Sequence, residues 1–206
     1  MAKTSGLHPT KQILIDTTVG LLDELPMEKV TSDLVLETSK ISKGSLYHHF
    51  PDYGHLIDEA QVVRFSRYVD ESVGVIAGIL LNATTLEEVR ANLYQVTGAT
   101  QSDLRSADRR NRVQLLGLAT QRPNLQALLG REQHRLTTGL ADVIREGQER
   151  GWVRPEHDPS AIALLLQSYT LGLWLAEMTP EGISNTGWIA LINALTDTIF
   201  LVSADS

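Results

Sequence analysis

The 206-residue chain (22.7 kDa) is 42% hydrophobic, 21% charged and 5% aromatic, has no cysteine, and carries a formal charge of −7 with a pI near 5.3. That composition fits a soluble globular protein of one or two domains, able to bury about 70% of its unfolded surface without a covalent staple. The absence of cysteine excludes disulfides, cysteine-ligated zinc and thiol catalysis.

Met1-Ala2-Lys3-Thr4-Ser5-Gly6 lacks the apolar run of a signal peptide, and the longest apolar stretches, Ala161 to Leu166 and Val73 to Leu81, are short for a bilayer span. A cytoplasmic protein with no membrane partner is expected. The acidic balance argues weakly against nucleic acid, but local charge matters more than the total. Residues 1 to 60 hold five lysines against nine acids, yet Thr38 to Phe50 carries Lys40, Lys43, His48 and His49 and no acid.

Helical periodicity dominates, with no hairpin-turn dipeptides and no long alternating runs. Ile13, Leu14, Thr17, Leu21, Leu22 and Leu25 recur at helical spacing after Pro9, and Pro26 ends the run. Thr31 or Ser32 can cap a second helix through Ser39, and Ser42 a third from Lys43 to Phe50, each oxygen taking a free first-turn N–H. Pro51-Asp52 breaks the chain. A long helix from Tyr53 to Leu81 follows, with Val62, Phe65, Val69, Val73, Ile76 and Leu80 as its buried stripe. Further helices read as Leu86 to Gly98, Leu104 to Thr120, Pro123 to Arg150, Pro159 to Met178 and Thr186 to Val202. Gly151 can close one by turning left-handed, and Pro155, Pro159 and Pro180 fall in or beside connections. The expected fold is all-α, about nine helices, divided into a head of residues 1–52 and a body of residues 53–206.

Thr31 to Phe50, two short helices joined by Lys40-Ile41, has the form of a helix-turn-helix. Leu46 and Phe50 lie one turn apart and should anchor the third helix to Leu34, Val35 and Ile41. Gly44, Ser45 and His48 then face outward, where a glycine lets a ligand backbone come close and a hydroxyl or imidazole can bond bases or phosphate. Lys43 adds charge where the helix dipole already favours an anion. On pattern alone, a short amphipathic hairpin is the bland alternative.

The run Thr31-Ser32-Asp33-Leu34-Val35-Leu36-Glu37 followed by Ile41-Ser42-Lys43-Gly44-Ser45-Leu46-Tyr47-His48-His49-Phe50-Pro51-Asp52 closely resembles the DNA-binding head of the TetR family of bacterial transcriptional regulators. The resemblance is sharp over roughly residues 9 to 60; beyond that only helix count, length and the Gly151-Trp152 turn carry it. It implies an all-helical homodimer and a double-stranded DNA operator. Ser42, Lys43, Gly44, Ser45, Tyr47, His48, His49 and Tyr53 would lie at the DNA, with Thr31 and Ser32 near phosphates. Three departures stand out. Lys40 replaces a usual turn glycine, at a strain of about 1–2 kcal/mol if left-handed. Tyr53 replaces a usual phosphate-binding lysine, and Asp33 places an acid near the phosphates.

The same resemblance implies a pocket for a small-molecule effector in the body, which Tyr94, Arg112, Gln114, Gln167, Trp174 and Met178 are candidates to line. Ala161 to Leu166 with Leu171, Leu173, Trp174 and Leu175 make a helix apolar on nearly all sides, and the last helix is similarly broad. A two-fold interface through Leu165, Tyr169, Leu173, Trp188, Ile192, Leu195 and Ile199 accounts for both, the alternative being an ordinary monomer core. His48, His49 and His55 match no recognised metal-ligand spacing, no catalytic serine turn is present, and no cofactor is implied. The expected function is a ligand-responsive repressor released from a palindromic operator, not an enzyme. The other reading is a helical small-molecule carrier or interaction protein with weakened DNA binding.

Overall fold

The computed structural model of the chain describes residues 8–179 and 181–202, excluding the side chains of Ile199 and Phe200. Pro180, those two side chains and the Met1–Gly6 start therefore lie outside the described residues, and with them the expected dimer contact of Ile199.

The described residues form nine α-helices: α1 Pro9–Glu24, α2 Ser32–Ser39, α3 Lys43–His49, α4 Tyr53–Asn82, α5 Leu86–Thr100, α6 Ser106–Ala119, α7 Pro123–Glu149, α8 Pro159–Glu177 and α9 Asn185–Leu195. The fold is all-α, and the one β-type contact among these residues is an isolated bridge between Val153 and Leu201.

Local chemistry sets most helix ends. Thr31, Ser42, Asp52, Thr85, Asp158 and Ser184 each accept a first-turn N–H of the helix that follows. Proline opens α1, α7 and α8, where its missing donor costs nothing. Gly151 closes α7 at φ 70°. At α1 the cap is His8, whose Nδ1 accepts from the Thr10 N–H at 3.2 Å.

The last helix differs from expectation. Instead of one helix to Val202, α9 ends at Leu195 and a π-helical turn, Thr196–Phe200, follows. Asp197 in that turn bonds Arg90 Nε at 3.0 Å and the Tyr94 hydroxyl of α5. A 3-10 turn at Asp103–Arg105 likewise replaces the expected start of α6.

Two apolar cores form, and α4 serves both. The head core joins Leu14, Val19 and Leu22 of α1 to Val35, Leu46 and Phe50, and takes in Leu56, Ile57 and Ala60 of α4. Further along α4, Phe65 and Val69 join Leu115, Leu125, Leu136, Leu140 and Ile162 in the body core. Of the expected α4 stripe, Phe65, Val69 and Leu80 are buried, while Val62, Val73 and Ile76 are partly covered. In the head Leu34 does not join the core as expected, whereas the half-buried Leu36 packs against it.

Candidate DNA interface and body cavity

Leu46 and Phe50, both fully buried, fix α3 to α1 and α4, which leaves the opposite face of α3 open. Ser42 Oγ accepts the Ser45 N–H at 3.2 Å, and Thr31 Oγ1 accepts the Leu34 N–H at 3.3 Å, so both helices of the motif are capped at the end that would meet a phosphate. Lys40 adopts φ 57°, ψ 23°, the left-handed turn its position required. Lys43, Gly44, Tyr47 and His48 are exposed, Tyr47 at 47%. A side chain added at Gly44 would meet nothing within 4 Å, which leaves room for a close backbone approach. Ser45 is half-buried with its Oγ 3.0 Å from Ser42 Oγ. Thr31 is exposed and Ser32 half-buried.

Tyr53 is placed differently from the expectation. Its hydroxyl donates to the Val30 carbonyl at 2.7 Å, and burial pushes its pKa up to about 12. That proton is spent inside the head, so Tyr53 has no hydrogen to offer a phosphate, which itself only accepts.

The histidines separate. His55 pairs with Asp52 at 3.0 Å, whereas His49 stacks on His8 (ring centroids 4.7 Å apart) and touches His48 edge-on at 5.0 Å. Desolvation, then the neighbouring His8, His48 and Lys11, lower the His49 pKa.

In the body, a cavity of about 240 Å³ lies between α4, α5, α6, α7 and α8. Of the expected lining residues, Arg112 and Gln167 are in its wall. Four are not. Tyr94 is held by Asp197, Gln114 lines a cleft between α6 and the end of α1, Met178 is exposed past the end of α8, and Trp174 is half-buried outside the wall. Gln167 is in the wall but already committed: its amide donates to Thr137 Oγ1 at 3.2 Å and the Ala163 carbonyl at 2.9 Å, and accepts from Gln133.

The wall also holds residues that sequence reading missed, including Tyr68, Glu71, Arg105, Asp108 and Arg109. Arg109, 1% exposed, bonds the Thr100 carbonyl at 2.8 Å, the Ser102 carbonyl at 3.0 Å and Glu177 with both Nε and Nη2, tying the α5–α6 connection to the end of α8. Arg112, one turn later, makes no hydrogen bond among the described residues: its Nε is buried without a partner, and its guanidinium sits 4.2 Å over the Tyr68 ring. Desolvation lowers its pKa. The periodicity of α6 gave no sign that Arg109 and Arg112 would differ.

The expected dimer residues also divide. Leu165 is exposed and Leu195 half-buried, but Leu173 and Ile192 are buried within the protomer, 5% and 3% exposed. Tyr169 lines the cavity, and Trp188 Nε1 donates at 3.1 Å to Gln101, just past the end of α5. The most open apolar groups on α8 and α9 are Leu164 (58%), Leu175 (67%) and Leu191 (60%), with Ala161, Ala190 and Ala194 also exposed on these helices. By length and composition α8 alone among the described helices would suffice to cross a membrane; here it packs along α7 and α6.

A capped helix-turn-helix head joined by one long helix to an all-helical body has the form of a DNA-binding transcriptional regulator. The chain belongs to the TetR family: residues 89–201, more than half of it, match the family model for the BetI-type transcriptional repressor, C-terminal. It is 29% identical over 171 residues to the transcriptional regulator AcuR of Cereibacter sphaeroides, covering 74% of this chain and 68% of that one. To the HTH-type transcriptional regulator UidR of Escherichia coli K12 it is 21% identical over 177 residues, covering 86% and 85%. Among solved structures, a transcriptional regulator from Saccharomonospora viridis in complex with choline superposes with a TM-score of 0.64 at 20% identity, covering 94% of this chain and 98% of that one. A TetR-family regulator from Cytophaga hutchinsonii superposes at 0.66 and 15% identity, covering 97% and 100%. The protein is accordingly a DNA-binding regulator of transcription, from a family of regulators rather than enzymes.

Proposed function

We propose that the protein is a homodimeric, ligand-responsive repressor whose two α3 helices enter successive major grooves about 34 Å apart on a near-palindromic operator. The observation that carries this is the exposed Lys43–His49 face of α3, fixed from behind by Leu46 and Phe50. In this reading Lys43 and the capped helix ends meet phosphates, while Gly44, Tyr47 and His48 reach the bases. The head comprises residues 1–52 and the body residues 53–206.

The cavity is the effector site. Its wall includes Tyr68, Ser72 and Ile76 of α4, the same helix whose first turns, with Leu56 and Ala60, belong to the head core. Arg122 also grips the largely buried Asp58 of α4 at 2.6 Å, and Arg64 holds Asp23 of α1 at 2.8 Å. A ligand that favours a displaced α4 therefore shifts the head spacing, to the extent that it binds the two states differently.

The test is selection from a random double-stranded DNA pool with the full-length protein at moderate salt. An enriched palindrome with half-sites about one turn apart is expected. No enrichment even at low salt removes the repressor reading and favours a carrier. On the selected operator, Tyr47→Ala is expected to lose affinity by at least about fivefold, the lower end of one base contact, with its dimer unchanged in sedimentation. Retained affinity would mean that α3 is not the reading helix.

A further inference from the structure

The cavity wall contains three arginines, and two are already matched. Arg105 bonds Asp108 at 3.1 Å and lies 3.6 Å from Glu71; Arg109 is saturated by Glu177 and two carbonyls. Arg112 has neither a carboxylate nor a carbonyl, only the face of Tyr68. The Nε of this half-buried guanidinium is withdrawn from water without an ionic or hydrogen-bonded partner, which is costly, and a cation–π contact offsets only part of that cost. The remainder is available to a ligand that supplies the missing acceptor.

We propose that the body cavity takes a small carboxylate whose oxygens pair with the Arg112 guanidinium and whose apolar part lies against Ile76, Val96, Leu136, Leu140 and Leu166. This assignment rests on reading the cavity as the effector site.

Three features select this class. The planar fork of arginine matches a carboxylate in a two-bond geometry, and no second uncommitted cation lines the cavity among the described residues to call for a more highly charged anion. A ligand cation is disfavoured, because the Tyr68 ring already carries Arg112 and the two wall carboxylates, Glu71 and Asp108, are exposed and engaged with Arg105. Size sets the third limit. About 240 Å³ lies below the drug-sized range, which favours a small acid. Tyr169, its pKa raised by burial, keeps its phenol proton and adds a neutral polar group to the same wall.

The experiment is calorimetric titration of the full-length protein with sodium butanoate, hexanoate and benzoate, with the amide of each, and with choline chloride, alongside operator release by fluorescence anisotropy. At least one acid is expected to bind, its amide at least tenfold more weakly. Arg112→Met should weaken the acid by about 10- to 100-fold, the range for a hydrogen bond to a charged group, and Arg112→Lys by less, since it keeps the charge but loses the fork. Arg112→Met is expected to keep the wild-type melting temperature or exceed it, because it removes a half-buried cation whose Nε has no partner. The assignment is overturned if no acid binds, if amide and acid bind equally, or if the acid binds Arg112→Met as it binds wild type. The acid–amide contrast in wild type decides the matter even if a variant fails to fold. An acid that binds through Arg112 without releasing operator leaves the assignment standing and removes the effector reading; choline or an amide releasing operator while no acid binds does the reverse.

Discussion

Lys40 holds the turn of the DNA-binding motif at φ 57°, a conformation that costs a residue with a Cβ about 1–2 kcal/mol. Glycine there would relieve the strain but gain freedom in the unfolded chain, worth about 0.4–1 kcal/mol in the other direction. Lys40→Gly is therefore expected to raise stability by up to about 1.5 kcal/mol, read as a higher urea midpoint; a lower midpoint would mean that the lysine makes compensating contacts. The turn was legible from sequence because two residues between two capped helices leave the chain little choice. The caps at Thr31 and Ser42 were legible for a similar reason: donor and acceptor lie three residues apart. The cavity was not legible at this scale. Arg109 finds Glu177 68 residues away, Gln167 finds Gln133 on α7, and Tyr53 spends its proton on Val30, all pairings that only the folded chain creates.

At the scale of elements, α4 and α7 make the most extensive contact in the body, and Gly139 of α7 faces Val73 of α4 across it. A Cβ at Gly139 would stand 2.9 Å from Val73 Cγ2, nearer than such carbons approach. Valine is stiff about its first torsion and cannot easily swing aside. Gly139→Ala gains about 1 kcal/mol of helix propensity but forces an overpacked contact worth about 1–3 kcal/mol against it, so a net loss of stability up to about 2 kcal/mol is expected. In a Val73→Ala background the obstacle is gone, and Gly139→Ala should become stabilising. Thermal or urea unfolding of the four proteins checks the reversal of sign; a loss of similar size in both backgrounds would show that Val73 is not the obstacle. The α4 stripe was legible from its 3.6-residue period, but not its incomplete burial. Ile76 lines the cavity, so the helix leaves part of its apolar face against open space rather than against a neighbour. The end of α9 was illegible because nothing in its apolar run marks the change to a π turn.

For the molecule as a whole, α8 and α9 pose the question of what covers Leu164, Leu175 and Leu191, which a single protomer leaves more than half exposed. Full burial of a leucine is worth roughly 1.5–3 kcal/mol, and a two-fold interface counts each residue twice, because the same patch meets itself. The proposed dimer thus draws on the residues that the protomer does not use, while Leu173 and Ile192 stay in its own core. Small residues exposed on the same helices, Ala161, Ala190 and Ala194, let two such helix pairs approach closely. Leu191→Glu would place two carboxylates in that contact while leaving the protomer interior untouched, so it is expected to yield folded monomers in analytical ultracentrifugation with an unchanged helical circular dichroism spectrum. The operator affinity of those monomers should collapse, since one head reads only half of a palindrome and the second half-site no longer binds as an intramolecular event. A Leu191→Glu protein that remains dimeric would place the interface elsewhere on the body. A monomer that retained full operator affinity would show that the spacing of two heads is not what the DNA reads.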